Sequence, residues 1–306
     1  MPSNGFKSSF LRIFASLHLR VVFFCSTAKQ SNKLLYNSII MKYYVVDVFT
    51  DNLFGGNPAG VCLLDTWPDD ALLQNIASEN NLSETAFLVK QDGYYDLRWF
   101  TPKAEVNLCG HATMGSAHIL FEFAEQRAAE LRFKTQSGIL SVTRGDGNML
   151  WMDFPARPGV FAPIYSSLSN ALGNGIKEVF KSADILVVFG SEYKIKDIVP
   201  DFEALKKIRD EALMPSDNFG VIVTAQGTDC DFVSRFFAPN AGINEDPVTG
   251  RAHCVLIPYW SKRLGKTKLT ARQLSKRGGQ LWCEDAGDRV KIGGKVKLYL
   301  SGEIKV

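Results

Sequence analysis

Apolar and polar positions alternate, or apolar residues gather in short runs, along most of this chain. Residues 43–49 and 61–64 read as strands flanking the turn-rich segment Asp51 to Pro58. Leu72, Leu73, Ile76 and Ala77 fall at helical spacing within residues 69–79, and residues 85–89 and 95–100 return to strand character around Asp92-Gly93. Residues 112–125 predict a helix that is apolar almost all round, through Ala112, Met114, Ala117, Ile119, Leu120 and Phe123. A short helix without a polar face must be wrapped by other structure. Strands at 131–135, 139–144 and 149–154 follow, and the proline-bounded segment Pro155 to Pro163 marks a crossing. Beyond it the pattern predicts strands at 185–189, 220–224 and 231–237, a helix at 202–210, a second mostly apolar helix at 252–263, and strands at 269–273, 279–284, 288–292 and 295–300. The fold class is α+β: antiparallel strands curled as a sheet or barrel around one central helix, twice.

The doubling is also written in the residues. Arg98-Trp99-Phe100-Thr101-Pro102 returns as Arg235-Phe236-Phe237-Ala238-Pro239 at a constant separation of 137, which also sets Asn107 against Asn244 and Cys109 against Asp246. A repeat of that period means two domain-sized, pseudo-symmetric halves with a cleft between them, not a solenoid. The expected organisation is an extension at 1–40, one half at 41–157 and the other at 158–294, with 295–306 returning to the first.

Composition narrows the class. Residues 1–46 hold six basic and no acidic residues on a chain of net charge +3, so the remainder is mildly acidic, at −3. Nucleic acid is not an expected partner, and no run reaches the roughly 18 apolar residues of a membrane span. The Ser-rich, acid-free segment 1–40 reads either as an organellar transit peptide or as sequence ahead of a start at Met41; otherwise the expected location is the cytoplasm. Six scattered cysteines show neither CxxC spacing nor a Cys/His ligand pattern, which points to reduced thiols and no metal. His118 and His253 fall within apolar helices and read as core or lining histidines, not bases.

Both apolar helices begin just after loops of unusual composition, Asn107-Leu108-Cys109-Gly110-His111-Ala112-Thr113 and Asn244-Glu245-Asp246-Pro247-Val248-Thr249-Gly250. A helix N-terminus offers free backbone N–H groups and a positive dipole end, so two of them facing one cleft predict a small carboxylate-bearing ligand. A third polar loop, Asn81-Leu82-Ser83-Glu84-Thr85, supplies another acid.

These three motifs, in this order and with Gly56-Asn57-Pro58-Ala59 near the start, resemble the PhzF-like phenazine-biosynthesis isomerase family from Met41 to the C-terminus. The resemblance implies the diaminopimelate-epimerase-type fold, with Glu84 as the acid/base residue and His111 and Asp246 beside it as partners. It also implies backbone contact with the ligand at Gly110 and Gly250; Asn57, Ser83, Cys109, Thr249 and Arg251 complete the expected lining. Two positions depart from the family. Arg251 stands where many relatives carry a small hydroxyl residue, and Arg binds carboxylates bidentately. Cys109 has no cysteine partner at Asp246, which rules out a two-thiol mechanism.

No flavin, nicotinamide, pyridoxal or metal motif is evident, so the expected chemistry is cofactor-independent proton shuttling on a small amino acid or cyclic amino-carboxylate. Without an electron sink, the C–H must be acidified by an adjacent carboxyl, carbonyl or diene. Racemisation at an α-carbon and 1,3-isomerisation of a dienyl acid both fit. The competing reading is a catalytically silent carboxylate-binding or interaction protein of the same fold. A homodimer is the base expectation for the assembly.

Overall fold

The local code is clearest at helix starts. Asp69 caps the first helix by accepting from the Leu72 backbone N–H, and Asn81 closes it in the left-handed conformation. A computed structural model describes residues 40–215 and 219–306; the extension at 1–40 lies outside these except for its last residue. The first half runs β1 (Ile40–Val48), β2 (Asn57–Leu64), α1 (Asp70–Asn80), β3 (Glu84–Lys90), β4 (Tyr95–Phe100), β5 (Glu105–Val106), α2 (Gly110–Phe123), β6 (Glu130–Thr135), β7 (Gly138–Arg144) and β8 (Leu150–Pro155). The second runs β9 (Val160–Ala162), α3 (Ser166–Leu172), β10 (Ile176–Lys181), β11 (Ile185–Phe189), α4 (Glu192–Asp197), α5 (Phe202–Lys206), α6 (Ile208–Glu211), β12 (Val221–Gln226), β13 (Phe232–Ala238), β14 (Ile243–Asp246), α7 (Gly250–Leu264), β15 (Lys268–Gln273), β16 (Gly279–Asp285), β17 (Arg289–Gly294) and β18 (Val296–Lys305).

Strand pairing repeats step for step. From β1 to β8 the ladders are β1–β2 antiparallel, β2–β3 parallel, β3–β4 and β4–β5 antiparallel, β4–β6 parallel, then β6–β7 and β7–β8 antiparallel. The strands β10 to β17 follow the same series in the same order. The sheet is therefore mixed: each half carries two parallel pairs where alternation alone suggests only antiparallel ones. Parallel neighbours need a crossover connection, and the connections across β2–β3 and β4–β6 contain α1 and α2. β8 pairs with β17 and joins the two series. The strands that leave this junction cross over: β9, after β8, pairs with β10, and β18, after β17, pairs with β1.

The two central helices are buried as their composition demands. In α2 the run from His111 to Ala117 is wholly buried, and Ile119, Leu120 and Phe121 join the core. A side chain at Gly115 would put its Cβ 2.7 Å from Val46, so glycine is what lets α2 lie against β1. In α7 the buried set includes Ala252, His253, Val255, Leu256, Ile257 and Trp260. Burial of a Leu or Ile of this kind contributes about 1.5–3 kcal/mol relative to exposure. His253 donates through Nδ1 to the Thr249 carbonyl at 2.8 Å, and burial holds its pKa down at about 4.

The structure corrects the register of the repeat near the helix starts. Arg98 and Arg235, 137 apart, do the same work: each makes a two-pronged ion pair with a glutamate on the next strand, Arg98 with Glu105 and Arg235 with Glu245. Those glutamates, however, are 140 apart, as are the helix starts Gly110 and Gly250. The extra three residues enter at the turn Pro239–Ala241, closed by Gly242 at φ 82°. The counterpart of Cys109 is therefore Thr249, not Asp246, and the counterpart of His111 is Arg251. There is no thiol at the second position under either alignment.

Arg235 is more deeply held than Arg98. Its Nη1 also donates to the carbonyls of Ile195 and Ile198, at 3.2 and 2.7 Å. Arg235→Ala is expected to lower stability by about 2–3 kcal/mol, because buried acceptors lose charged donors. Arg98→Ala is expected to cost less than about 1 kcal/mol. Denaturant midpoints of the two variants check this; equal losses would contradict it.

Candidate active site

Three backbone features bring the polar loops together. Asn57 opens β2, Glu84 opens β3 and His111 is the second residue of α2, so all three lie at the ends of elements around one core. Asp246 ends β14, directly before the turn into α7. The loop ahead of Asn57 is tied to the second half by Arg277, which donates from Nε to the Gly56 carbonyl (2.8 Å) and from Nη2 to the Gly55 carbonyl (2.8 Å) and Asp47. Gly56 sits at φ 62°, where a Cβ would lie 2.1 Å from the Val48 carbonyl oxygen, so only glycine closes this turn.

The side chains then form a connected set across both halves. His111 Nε2 lies 3.1 Å from Glu84 Oε2, with 8% and 13% side-chain exposure. That contact is at ion-pair distance but off hydrogen-bond alignment, and both atoms are buried without a hydrogen-bond partner. On its other edge His111 Nδ1 lies 3.6 Å from Cys109 Sγ and 3.4 Å from Asn57 Nδ2. Asn57, fully buried, donates from Nδ2 to Asp246 Oδ1 at 2.8 Å and to the Val248 carbonyl at 2.9 Å. Both protons of that amide are thus committed to the second half, which leaves His111 Nδ1 free to face the sulfur as a donor. Thr249 Oγ1 donates to the other oxygen, Asp246 Oδ2, at 2.5 Å.

Burial is the largest single influence on the electrostatics of the set. Burial pushes the Asp246 carboxyl up to about 6 and Glu84 adds to the rise, against the opposing pull of His111, Thr249 and Asn57. For His111, burial works against the cation, but Cys109 and Glu84 on either side outweigh it, so its pKa stands well above 6.5. Burial, reinforced by Glu84, pushes the Cys109 thiol up, against the opposing pull of His111.

Glu84, Cys109 and His111 are also the one cluster among the described residues whose donor atoms fall within 4.8 Å of each other. Within it the closest approaches are to different ring nitrogens of His111, Glu84 Oε2 to Nε2 and Cys109 Sγ to Nδ1.

Gly110 and Gly250 are the first residues of their helices, and neither preceding cap residue, Cys109 or Thr249, forms a side-chain capping bond. The first-turn N–H groups are thus left to other partners. A Cβ on Gly250 would meet no atom within 4 Å, whereas one on Gly110 would touch Phe154 at 3.4 Å. Ser83 lies half-buried immediately ahead of Glu84. The Arg251 guanidinium pairs with Asp184, which is wholly buried and also accepts from the Gly220 N–H.

One contributor escapes sequence reading altogether. Gln273, fully buried at the end of β15, accepts from the Thr249 N–H (2.9 Å) and donates to the Asp246 carbonyl (2.8 Å) and to Thr249 Oγ1 (3.2 Å). A single glutamine ending a strand carries no local signal of such a role.

The fold is thus a duplicated mixed sheet around two buried helices, with a polar set where their N-termini begin. Residues 46–302 match the family model described as phenazine biosynthesis-like protein, and the chain belongs to that PhzF family. It is 51% identical over 261 residues to an isomerase of Pseudomonas aeruginosa, covering 85% of this chain and 97% of that protein. A PhzF-family structure from Enterococcus faecalis superposes with a TM-score of 0.82 at 47% identity, over 88% of this chain and all of that one. The fold extends to a hydroxyproline epimerase of Agrobacterium vitis, solved with trans-4-hydroxy-L-proline, at a TM-score of 0.58 and 11% identity over 87% of this chain and 93% of that one. Among the described residues no helix is long and apolar enough to cross a membrane.

Proposed function

We propose that this isomerase moves a proton on a small amino acid or cyclic amino-carboxylate without a cofactor, using Glu84 and Asp246 as its proton-transfer groups. The observation that carries the reading is the contiguous set Glu84, His111, Asn57 and Asp246, which contains an acid from each half and holds three buried polar atoms, Glu84 Oε2, His111 Nε2 and Asn57 Oδ1, without hydrogen-bond partners. The substrate carboxylate docks on the free N–H groups at Gly110 and Gly250. Glu84 takes the C–H proton, and the electron pair moves into the adjacent carboxyl, carbonyl or diene system. A proton then returns, from Asp246 to the opposite face in an epimerisation or from Glu84 to a conjugated carbon in an allylic shift. His111, held cationic, stabilises the negative charge as it develops. An Asp246 carboxyl near 6 is suited to both gain and loss of a proton around neutrality. The amino-acid ligand in the Agrobacterium epimerase supports this substrate class.

The test is incubation of the purified protein in deuterated water with a panel of amino acids and cyclic amino-carboxylates, read by mass spectrometry and NMR. Deuterium at an α or vinylogous carbon is expected; none across the panel would overturn the reading. A Gly250→Ala variant is expected to fold with stability within about 1 kcal/mol of wild type, since the added methyl meets open space. It should nevertheless lose the thermal stabilisation that a bound small carboxylate confers on the parent. An undiminished shift would remove the carboxylate from this helix terminus.

A further inference from the structure

The repeat supplies an internal control for what the loop carrying Asp246 needs. Both pre-helix loops are held by a serine from the segment after the following strand: Ser137 Oγ donates to the Asn107 carbonyl and Ser275 Oγ to the Pro247 carbonyl, at 2.7 and 2.8 Å. Asn107 and Pro247 are 140 apart, like the helix starts, so the two bonds are the same bond made twice. The parallel ladders set Tyr95 opposite Phe133 in one half and Phe232 opposite Ala271 in the other, which places Thr135 at the position of Gln273. Among the described residues the Thr135 hydroxyl bonds only within its own turn, to the Gly138 carbonyl and from the Ser137 N–H. The first loop thus reaches its helix without any clamp at this position, and the fold itself does not require one.

The second loop has the clamp, and its three hydrogen bonds leave little freedom. Gln273 Nε2 can only donate to Thr249 Oγ1, so the Thr249 hydroxyl proton is left to point at Asp246 Oδ2. Its donation to the Asp246 carbonyl and its acceptance from the Thr249 N–H fix both ends of the segment that carries the carboxylate. We infer that Gln273 is a positioning residue for Asp246, acting through the Thr249 hydroxyl to fix the direction from which the carboxylate is hydrogen-bonded and hence which lone pairs remain for substrate. The groups facing Asp246 are Glu84 from β3, His111 from α2, Asn57 from β2 and Thr249 at the start of α7, and of these only Thr249 is held by Gln273. The significance for turnover rests on the proposed role of Asp246, but the geometry can be tested without substrate.

The experiment is a pH titration of the Asp246 carboxyl carbon by NMR in protein labelled at aspartate side chains, compared with wild type. Gln273→Met keeps length and loses every bond, so the hydroxyl is released and the carboxyl should titrate about 0.5–1 unit higher, the scale of one lost hydrogen bond. Thr249→Val should shift it in the same direction, Thr249→Ser should restore the wild-type curve, and the double variant of Gln273→Met with Thr249→Val should move no further than Thr249→Val alone. Ser137→Ala, at the matching bond of the other loop, should leave the curve in place. An unmoved titration in folded Gln273→Met, or additive shifts in the double variant, overturns the inference. Should Gln273→Met fail to fold, Thr249→Val against Thr249→Ser decides, because an unmoved Asp246 in Thr249→Val removes the hydroxyl route through which Gln273 is inferred to act.

Discussion

Glu84→Gln is expected to reduce solvent deuterium incorporation by roughly 10²- to 10⁴-fold while leaving the fold intact. The amide is nearly isosteric, and Glu84 enters β3 through a backbone ladder with β2 that the side chain does not make. The amide keeps an oxygen acceptor in the space facing His111 Nε2 while the capacity to carry a proton is lost. The comparison needs only exchange rates and a melting curve for each protein. Equal incorporation by parent and variant would transfer the base role elsewhere, and a collapsed fold would show the Glu84–His111 contact to be structural.

Asp246→Asn has two expected signatures. Exchange should fall by about 10²-fold or more, since the second proton carrier is gone. Stability should change with a sign that burial dictates. The folded carboxyl sits near 6 against 3.8 when unperturbed, so between those values the native chain binds more protons than the unfolded one. Its contribution to stability is present at low pH and is lost as pH rises through that window, because above it a buried group must carry charge. Asparagine carries none. The variant's melting temperature relative to the parent should therefore be higher at pH 7.5 than at pH 4.5. A difference that is flat in pH, or that runs the other way, would show that Asp246 is better solvated than its surroundings indicate.

Much of this was legible because the strongest patterns are physical constraints. The two all-apolar helices had to be enclosed, and α2 and α7 are. The loops ahead of them announced themselves by clustering Cys109, Gly110 and His111, and Asp246, Thr249 and Gly250. Less legible was the local register of the repeat: an insertion at the Pro239 turn shifts Cys109 from Asp246 to Thr249, and a fixed separation cannot reveal it. The short elements β9, α3, β10 and α4 also went unread. Segments such as Ile176-Lys177-Glu178-Val179-Phe180-Lys181 mix polar and apolar residues without length enough to establish a period. Arg251 illustrates a different limit. A guanidinium in this position suggests a carboxylate partner, and one such partner is Asp184, which nothing in the local sequence pairs with it.

The crossing of β9 and β18 bears on how such a molecule can be dissected. Each series ends its sheet against a strand that arrives from beyond the β8–β17 seam, so cutting the chain near residue 157 would strip β18 from β1 and leave a long row of unpaired amides and carbonyls. Fragments made this way should be sticky and poorly folded until mixed, and complementation between them, more than the behaviour of either piece, would report the native architecture.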